Sequence, residues 1–132
     1  MLDASAALAF LLPSQRTEES EALLDQADAH SFAAPAIFPW EVGQVLLRRF
    51  HRDPARAEDG LLRLMSLPVN VTVLTDPDEP KALIPVAAAH QLSLFDAAYL
   101  DLALALDAPL ASRDAALMSA AAACGASVLD LR

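Results

Sequence analysis

Four carboxylates in this sequence, Asp3, Glu41, Asp96 and Asp114, each stand at or near the predicted beginning of a helix. Carboxylates that lie within a few ångströms of one another repel, which raises their pKa values unless divalent cations neutralise them. A ligand set made only of oxygen atoms suits Mg²⁺, with Mn²⁺ as a possible substitute, rather than zinc. If the four side chains converge, the chemistry they serve best is metal-assisted hydrolysis of a phosphodiester bond.

A helix-capping role is the simpler explanation for each acid taken singly. Ser93, followed three residues later by Asp96, resembles a capping box. Asp114 after Ser112 puts a second carboxylate in a first helical turn, where the helix dipole favours a negative charge. Single caps are common, whereas four such acids at corresponding places in one chain are not. The repetition therefore favours a shared site.

The remaining side chains that could bind a metal show no ligand spacing. They are three histidines and one cysteine: His30, His51, His90 and Cys124. A single cysteine excludes an intramolecular disulfide, and its position before Gly125, at a predicted helix end, favours a small buried side chain over a reactive thiol.

The elements that must position the acids alternate between short strands and helices. Helical spacing and caps predict helices over 4–12, 17–30, 36–51, 53–66, 76–90 and 113–124, and another through the apolar positions 97–104. Short apolar runs predict strands at 1–2, 31–34, 68–74, 108–111 and 126–129. The first of these strands has only two residues, fewer than the opening strand of a parallel βα unit usually has.

This alternation predicts one domain over residues 1–132, an α/β fold in which helices cover a mainly parallel central sheet in three α/β/α layers. Residues just past the carboxyl ends of parallel strands meet in a crevice where the strand order reverses. We therefore expect Asp3, Glu41 and Asp114 to meet there, with Asp96 joining from a neighbouring helix. Asp101 lies about 140° further around that helix and is left outside the site.

Composition and charge limit the possible partners. The net charge of −9 is unusual for a nucleic-acid-binding protein, yet five of the nine basic residues fall close together, at Arg48, Arg49, Arg52, Arg56 and Arg63. A hydrophobic content of 55% predicts exposed apolar stripes on helices 17–30 or 36–51, to be buried in a homodimer. The apolar segments are too short to span a membrane, and no basic residue precedes the Ala4–Leu12 run, so we expect a cytoplasmic protein.

Four segments of the chain resemble, in order, the successive motifs of the PIN-domain ribonucleases, and most closely those of the VapC-like toxins of bacterial toxin–antitoxin pairs. The segments are LDASA at 2–6, APAIFPWEVGQVLL at 34–47, LSLFDAAYLDLA at 92–103 and PLASRDAAL at 109–117. This resemblance implies a Rossmann-like α/β/α fold, cleavage of RNA that depends on Mg²⁺ or Mn²⁺, and an antitoxin partner encoded alongside. It implies no nucleotide cofactor.

Carried across position by position, the resemblance assigns the acidic quartet to Asp3, Glu41, Asp96 and Asp114, as catalytic residues and metal ligands. Ser112 corresponds to the hydroxyl residue two before the last acid, and Ser5 fits the family's Asp-x-Ser pattern, although a hydroxyl at a helix beginning has an equally good explanation as a cap. Together with Arg113, these serines are predicted to position the substrate.

One alternative stays open. The acids could be caps only, in a non-catalytic protein-binding module of the same fold whose arginine-rich face recognises an acidic partner. Two other classes fit poorly. A phosphotransferase of the haloacid dehalogenase type has an Asp-x-Asp motif where this chain has Asp3-Ala4-Ser5. A receiver domain needs a lysine late in the chain near its acids, whereas the single lysine here is Lys81.

Overall fold

Short strands alternate with helices through residues 1–27, 29–73 and 78–132, which are the residues described by this computed structural model. The helices are α1 (Ala4–Leu11), α2 (Glu18–Asp25), α3 (Phe38–Arg49), α4 (Pro54–Met65), α5 (Glu79–His90), α6 (Leu94–Ala105) and α7 (Ala115–Ala123), with a 3-10 helix at Pro13–Gln15. The strands are β1 (Phe32–Ala34), β2 (Val69–Val71), β3 (Leu110–Ser112) and β4 (Val128–Asp130).

The strands join into a parallel sheet around the first three residues of the chain. β1 pairs with β2 and β3 pairs with β4, both in parallel. Leu2 forms a parallel bridge with Ala111 of β3, and its N–H donates to the Ala33 carbonyl of β1 over 2.9 Å. The order is therefore β2, β1, Met1–Asp3, β3, β4. Because later strands lie on both sides of the opening segment, the strand order reverses there, and Asp3 follows directly.

The hydrophobic core holds this central segment in place. Leu2 is fully buried between its neighbours, and α1 buries nearly all of its residues. Phe38, Val42 and Leu46 present one buried face of α3, at a spacing of four residues. Asp3 thus lies at the centre of the sheet. Because one face of α3 is buried in the core, the direction of its opposite face is fixed.

The predicted α/β sandwich with a parallel sheet is confirmed, with differences at the ends of its elements. α2 ends at Asp25 rather than at residue 30, and β2 ends at Val71. The third strand begins at Leu110, because Pro109 has no N–H to donate to a sheet, and it includes Ser112. Asp28, the end of the predicted strand 68–74 and the predicted helix start at Asp76-Pro77 lie outside the described residues.

Within the described part of the chain, no single helix is long and apolar enough to cross a membrane. Among the described residues, the pair α5 and α6 is long and apolar enough when taken together, but the two helices are bent by 98° at their junction.

Gly60 of α4 packs tightly against α1 and α3, which predicts opposite effects for two glycine substitutions. A Cβ atom at Gly60 would lie 3.2 Å from side-chain carbons of both Leu11 and Leu46, and Leu46 is fully buried. Overpacking costs roughly 1–3 kcal/mol, more than the ~1 kcal/mol that alanine gains over glycine inside a helix. Gly60→Ala should therefore destabilise the fold in urea denaturation.

Gly43→Ala is the matched control, since Gly43 also lies inside a helix, but a Cβ there would have its nearest contact at 3.9 Å. This variant should be more stable than the wild type by about 0.5–1 kcal/mol. Two variants that shift stability in the same direction would contradict the packing described for α4.

Candidate functional site

A crevice of about 900 Å³ opens beside Asp3, at the carboxyl end of the central segment of the sheet. Asp3, Glu41, Asp96 and Asp114 all line it, and they come from four different places in the fold: the opening segment, α3, α6 and the start of α7. The structure thus brings the four predicted acids to one crevice, although they are separated by up to 111 positions in the sequence. Their catalytic and metal-binding roles stay predictions.

Asp3 is the most buried of the four acids, with 4% of its surface exposed. It is the N-cap of α1, and its Oδ1 accepts the Ala6 N–H over 2.7 Å. Two hydroxyls also donate to its carboxylate, from Ser5 over 2.8 Å and from Ser112 over 2.5 Å. Burial raises the pKa of Asp3 and these hydrogen bonds lower it, while the charge of Asp114 raises it further; on balance the pKa is raised.

Ser5 and Ser112 connect Asp3 to the beginning of α7. The Ser5 Oγ accepts the N–H of Arg113, and the Ser112 Oγ accepts the N–H of Asp114, each over 2.9 Å. Ser112 is fully buried and does not line the crevice, whereas Ser5 does. The Ser112 hydroxyl therefore orients Asp3 in this structure, and only Ser5 is placed where it could also meet a substrate.

Arg113, whose substrate-positioning role stays a prediction, directs its side chain away from the crevice. Its guanidinium donates to the backbone carbonyls of Gln15, over 2.8 Å, and of Leu131, and Arg113 does not line the crevice. Its side chain therefore ties the end of the chain to the 3-10 helix. The reason is directional: the backbone N–H of Arg113 is bound to Ser5, while its side chain extends to the segment that follows β4.

Glu41 and Tyr99 form a buried polar pair that lacks a normal hydrogen bond. Within the described residues, neither the Glu41 Oε2 nor the Tyr99 hydroxyl has a partner of acceptable geometry. The Tyr99 hydroxyl lowers the pKa of Glu41. Burial and the charges of Asp96 and Asp3 outweigh this effect and raise that pKa. Burial, and then Glu41, raise the pKa of Tyr99. A buried carboxylate oxygen without a donor is costly.

Asp96 and Asp114 act as the capping explanation predicts. The Ser93 hydroxyl donates to Asp96 over 2.6 Å in a capping box, and the Asp114 carboxylate accepts the N–H groups of Ala116 and Leu117 over 2.8 and 2.9 Å. Both carboxylates are therefore turned towards their own helix ends.

The four acids line one crevice, but their carboxylates are not arranged around a single point. Among the described residues, no group of three or more acidic, histidine or cysteine side chains could hold a metal ion in the observed positions. The chemistry of the donors nevertheless fits a hard divalent cation, because all are carboxylate oxygens and the Glu41 Oε2 lacks a partner among the described residues.

Several crevice residues were not identified from the sequence. They are Trp40, Gln44, Arg48, Phe95 and Tyr99. Helical spacing was a usable signal, since Gln44 and Arg48 follow Glu41 by three and seven residues and Tyr99 follows Asp96 by three. Trp40 and Phe95 directly precede an acid, and they are 80% and 53% exposed. Exposed aromatic side chains therefore stand directly beside two of the acids.

Comparison with known proteins identifies a family and a similar solved structure. A model of the PIN domain matches residues 1–123. Among solved structures, the "Crystal Structure of PAE2754 from Pyrobaculum aerophilum" is similar with a TM-score of 0.70 and 26% sequence identity, over 97% of this chain and 87% of that chain. No curated protein matches the chain. The family match spans the crevice and all four acids, and the chain therefore belongs to the PIN domain family, whose members are generally nucleases.

Proposed function

We propose that this protein is an endoribonuclease that depends on Mg²⁺, for which Mn²⁺ can substitute, and that it is the toxin of a VapC-like toxin–antitoxin pair. The observation that carries the proposal is the convergence of four carboxylates, from four separate places in a PIN domain, on one crevice. Carboxylates without cations would repel the phosphates of RNA, so a site of this composition is suited to RNA only when it is loaded with metal.

Asp3, Glu41, Asp96 and Asp114 would hold the cation. When bound, it would supply Lewis-acid stabilisation of the phosphate and an activated water. The chain's own residues provide the framework: Ser5 and Ser112 fix the Asp3 carboxylate in one direction, and burial keeps the Glu41 carboxylate poorly solvated. Asp96 makes its capping bonds with Oδ2 and Asp114 with Oδ1, so each has a second carboxylate oxygen that could join the set.

The partners we propose are an RNA substrate, a cognate antitoxin and a second copy of the chain, in the cytoplasm. Of the two helices predicted to expose apolar stripes, α3 exposes Leu47, whereas Leu23 and Leu24 of α2 pack against the core. α3 is thus the better candidate for an apolar interface. A basic antitoxin side chain reaching into the acidic crevice would satisfy the carboxylates without supplying a Lewis acid. Light scattering of the chain, alone and with its antitoxin, measures both associations.

The alternative function, a non-catalytic protein-binding module, draws on one specific observation. The carboxylates of Asp3, Asp96 and Asp114 each accept hydrogen bonds at a helix cap, so three of the four acids have a structural role without any metal. The burial of Asp3 and the unpartnered Glu41 Oε2 are not explained by capping, and for this reason we favour the nuclease.

A cleavage assay with a matched pair of variants separates the two functions. The free protein is incubated with total RNA, with Mg²⁺ or with EDTA, and the cut ends are mapped. We expect internal cuts that need the metal and that disappear in Asp96→Asn. Asp101→Asn is the control, because Asp101 is exposed on the same helix and does not line the crevice. A protein that neither cuts RNA nor binds Mn²⁺ would be the binding module instead.

A further inference from the structure

A set of arginines extends from the acidic crevice along α3 and α4 to a second cavity. Arg48 lines the crevice, and the guanidinium of Arg49 donates to the Ser14 Oγ over 3.4 Å. Arg56 and Arg63 line the second cavity, which has a volume of about 460 Å³. We call Arg48, Arg49 and Arg56 the arginine track.

The 3-10 helix connects the two cavities beside the track. Its last residue, Gln15, lines the crevice, and its first residue, Pro13, lines the second cavity. Ser14, which binds Arg49, lies between them in the chain. A ligand that leaves the crevice beside Arg48 would thus pass Arg49 before it reaches Arg56.

The charges of the track are available to a ligand. Ion pairs in the described part of the chain leave Arg48, Arg49 and Arg56 unpaired, whereas Arg63 pairs with Asp59 over 2.9 Å. All three track residues are exposed. In a protein with a net charge of −9, three neighbouring unpaired cations form a local region that attracts anions.

Helix stability explains only part of this arrangement. Arg48 and Arg49 occupy the last turn of α3, where the helix dipole favours cations. Arg56 lies in the first turn of α4, where the dipole disfavours them. Its guanidinium is held over the Phe50 ring at 4.6 Å, so it is oriented despite its unfavourable position. A negative ligand would account for this placement.

The crevice end of the track favours unpaired nucleotides. Trp40 is 80% exposed and Phe95 is 53% exposed, and both flank the acids that would act on the phosphate. Exposed aromatic faces stack on bases that are free of a duplex, whereas bases inside a double helix are already stacked. Aromatic rings beside a line of cations are the features that bind a single strand.

We propose that the arginine track binds the backbone phosphates of single-stranded RNA, which runs from the crevice past Ser14 into the second cavity. This inference rests on the proposed function and adds the path and the form of its substrate. The cations lie outside the acidic quartet, so they would hold the strand on one side of the cleaved bond without taking part in the chemistry.

The test measures RNA affinity as a function of salt. A short labelled single strand of mixed sequence is titrated into the Asp96→Asn protein, which is expected not to cut it, and into the same protein carrying Arg49→Gln and Arg56→Gln. Each phosphate contact contributes about 0.7 to the slope of log K against log salt for a single strand, so the two substitutions should reduce the slope by roughly 1.4. In the cutting protein, the same pair should raise KM and leave kcat unchanged.

The matched control carries Arg16→Gln and Arg132→Gln, which remove the same charge from arginines that are ion-paired with Glu21 and Asp130. It should keep the wild-type slope. Three results would overturn the proposal. They are a loss of slope in the control as large as in the track variant, an unchanged slope in the track variant, and binding of a blunt duplex as tight as binding of the single strand. The proposal would also be overturned if the track variant kept its RNA affinity but no longer bound polyglutamate. That result would show that the arginine track binds an acidic protein.

Failure of this inference and failure of the proposed function give different results. Cleavage by the wild type together with an unchanged slope in the track variant counts against the track alone. A reduced slope together with no cleavage by the wild type supports the track and counts against the nuclease.

Discussion

Asp3→Asn is expected to abolish RNA cleavage and, at neutral pH without divalent cations, to make the protein more stable than the wild type. The loss of activity should be at least roughly 10²–10³-fold, the effect of removing one preorganised group that stabilises charge in a reaction. Asparagine caps a helix about as well as aspartate, so α1 should keep its beginning. The gain in stability follows from burial, because the raised pKa of Asp3 shows that its charged form is disfavoured in the fold.

The pH dependence of this gain has a definite sign. A carboxyl whose folded pKa is raised binds more protons in the folded than in the unfolded state, so the wild type loses stability as pH rises from the ordinary carboxyl value of 3.8 through the raised one. The difference in melting temperature between Asp3→Asn and the wild type should therefore be small in acid and should grow towards neutral pH.

Asp53→Asn is the matched control for Asp3→Asn. Asp53 is the N-cap of α4 and accepts the Arg56 N–H over 3.2 Å, which is the same type of cap as Asp3 makes with Ala6. It is exposed and lies outside the crevice, so its variant should keep RNA cleavage and show no such stabilisation. An Asp3→Asn protein that cuts RNA at the wild-type rate would remove Asp3 from the proposed site.

Mn²⁺ is expected to raise the melting temperature of the wild type at neutral pH, and to do so far less in mild acid. At a concentration of 100 times its Kd, a ligand of the folded state adds about 2.7 kcal/mol, which for a domain of this size is a shift on the order of 10 °C. Protons compete with the cation for Asp3 and Glu41, whose pKa values are both raised in the cation-free fold. Affinity for the cation should therefore increase as pH rises through these raised values, and level off above them.

Differential scanning fluorimetry at a series of pH values measures this shift directly. Glu41→Gln should remove most of it, because the buried Glu41 Oε2 lacks a hydrogen-bond donor in the described structure and is the oxygen with most to gain from a cation. Asp101→Asn should leave the shift intact. A melting temperature that does not respond to Mn²⁺ at neutral pH, or a shift that Glu41→Gln does not change, would contradict a metal centre at these acids.

Local patterns in the sequence were sufficient to predict the fold class and the family. The alternation of apolar runs and capped helices predicted the α/β class, and the resemblance of four ordered segments predicted the PIN family; both are confirmed. The capping bonds of Asp96 and Asp114 were also predictable, because a cap depends on residues within one turn of each other. Helix ends were predicted less well, as α2 shows, since the last turn of a helix depends on what it packs against.

Directions and pairings between distant residues were decided only by the tertiary structure. Arg113 stands beside an acid in the sequence, yet its guanidinium binds carbonyls from the 3-10 helix and the segment after β4. Glu41 and Tyr99 are 58 positions apart and meet only because α3 and α6 bring them to the same crevice. Burial raises the pKa of Asp3 through the sheet that surrounds it. Periodicity in the sequence shows which face of an element is apolar. Packing over the whole chain determines which residues lie against that face, and those residues determine the pKa values and hydrogen-bond partners of a side chain.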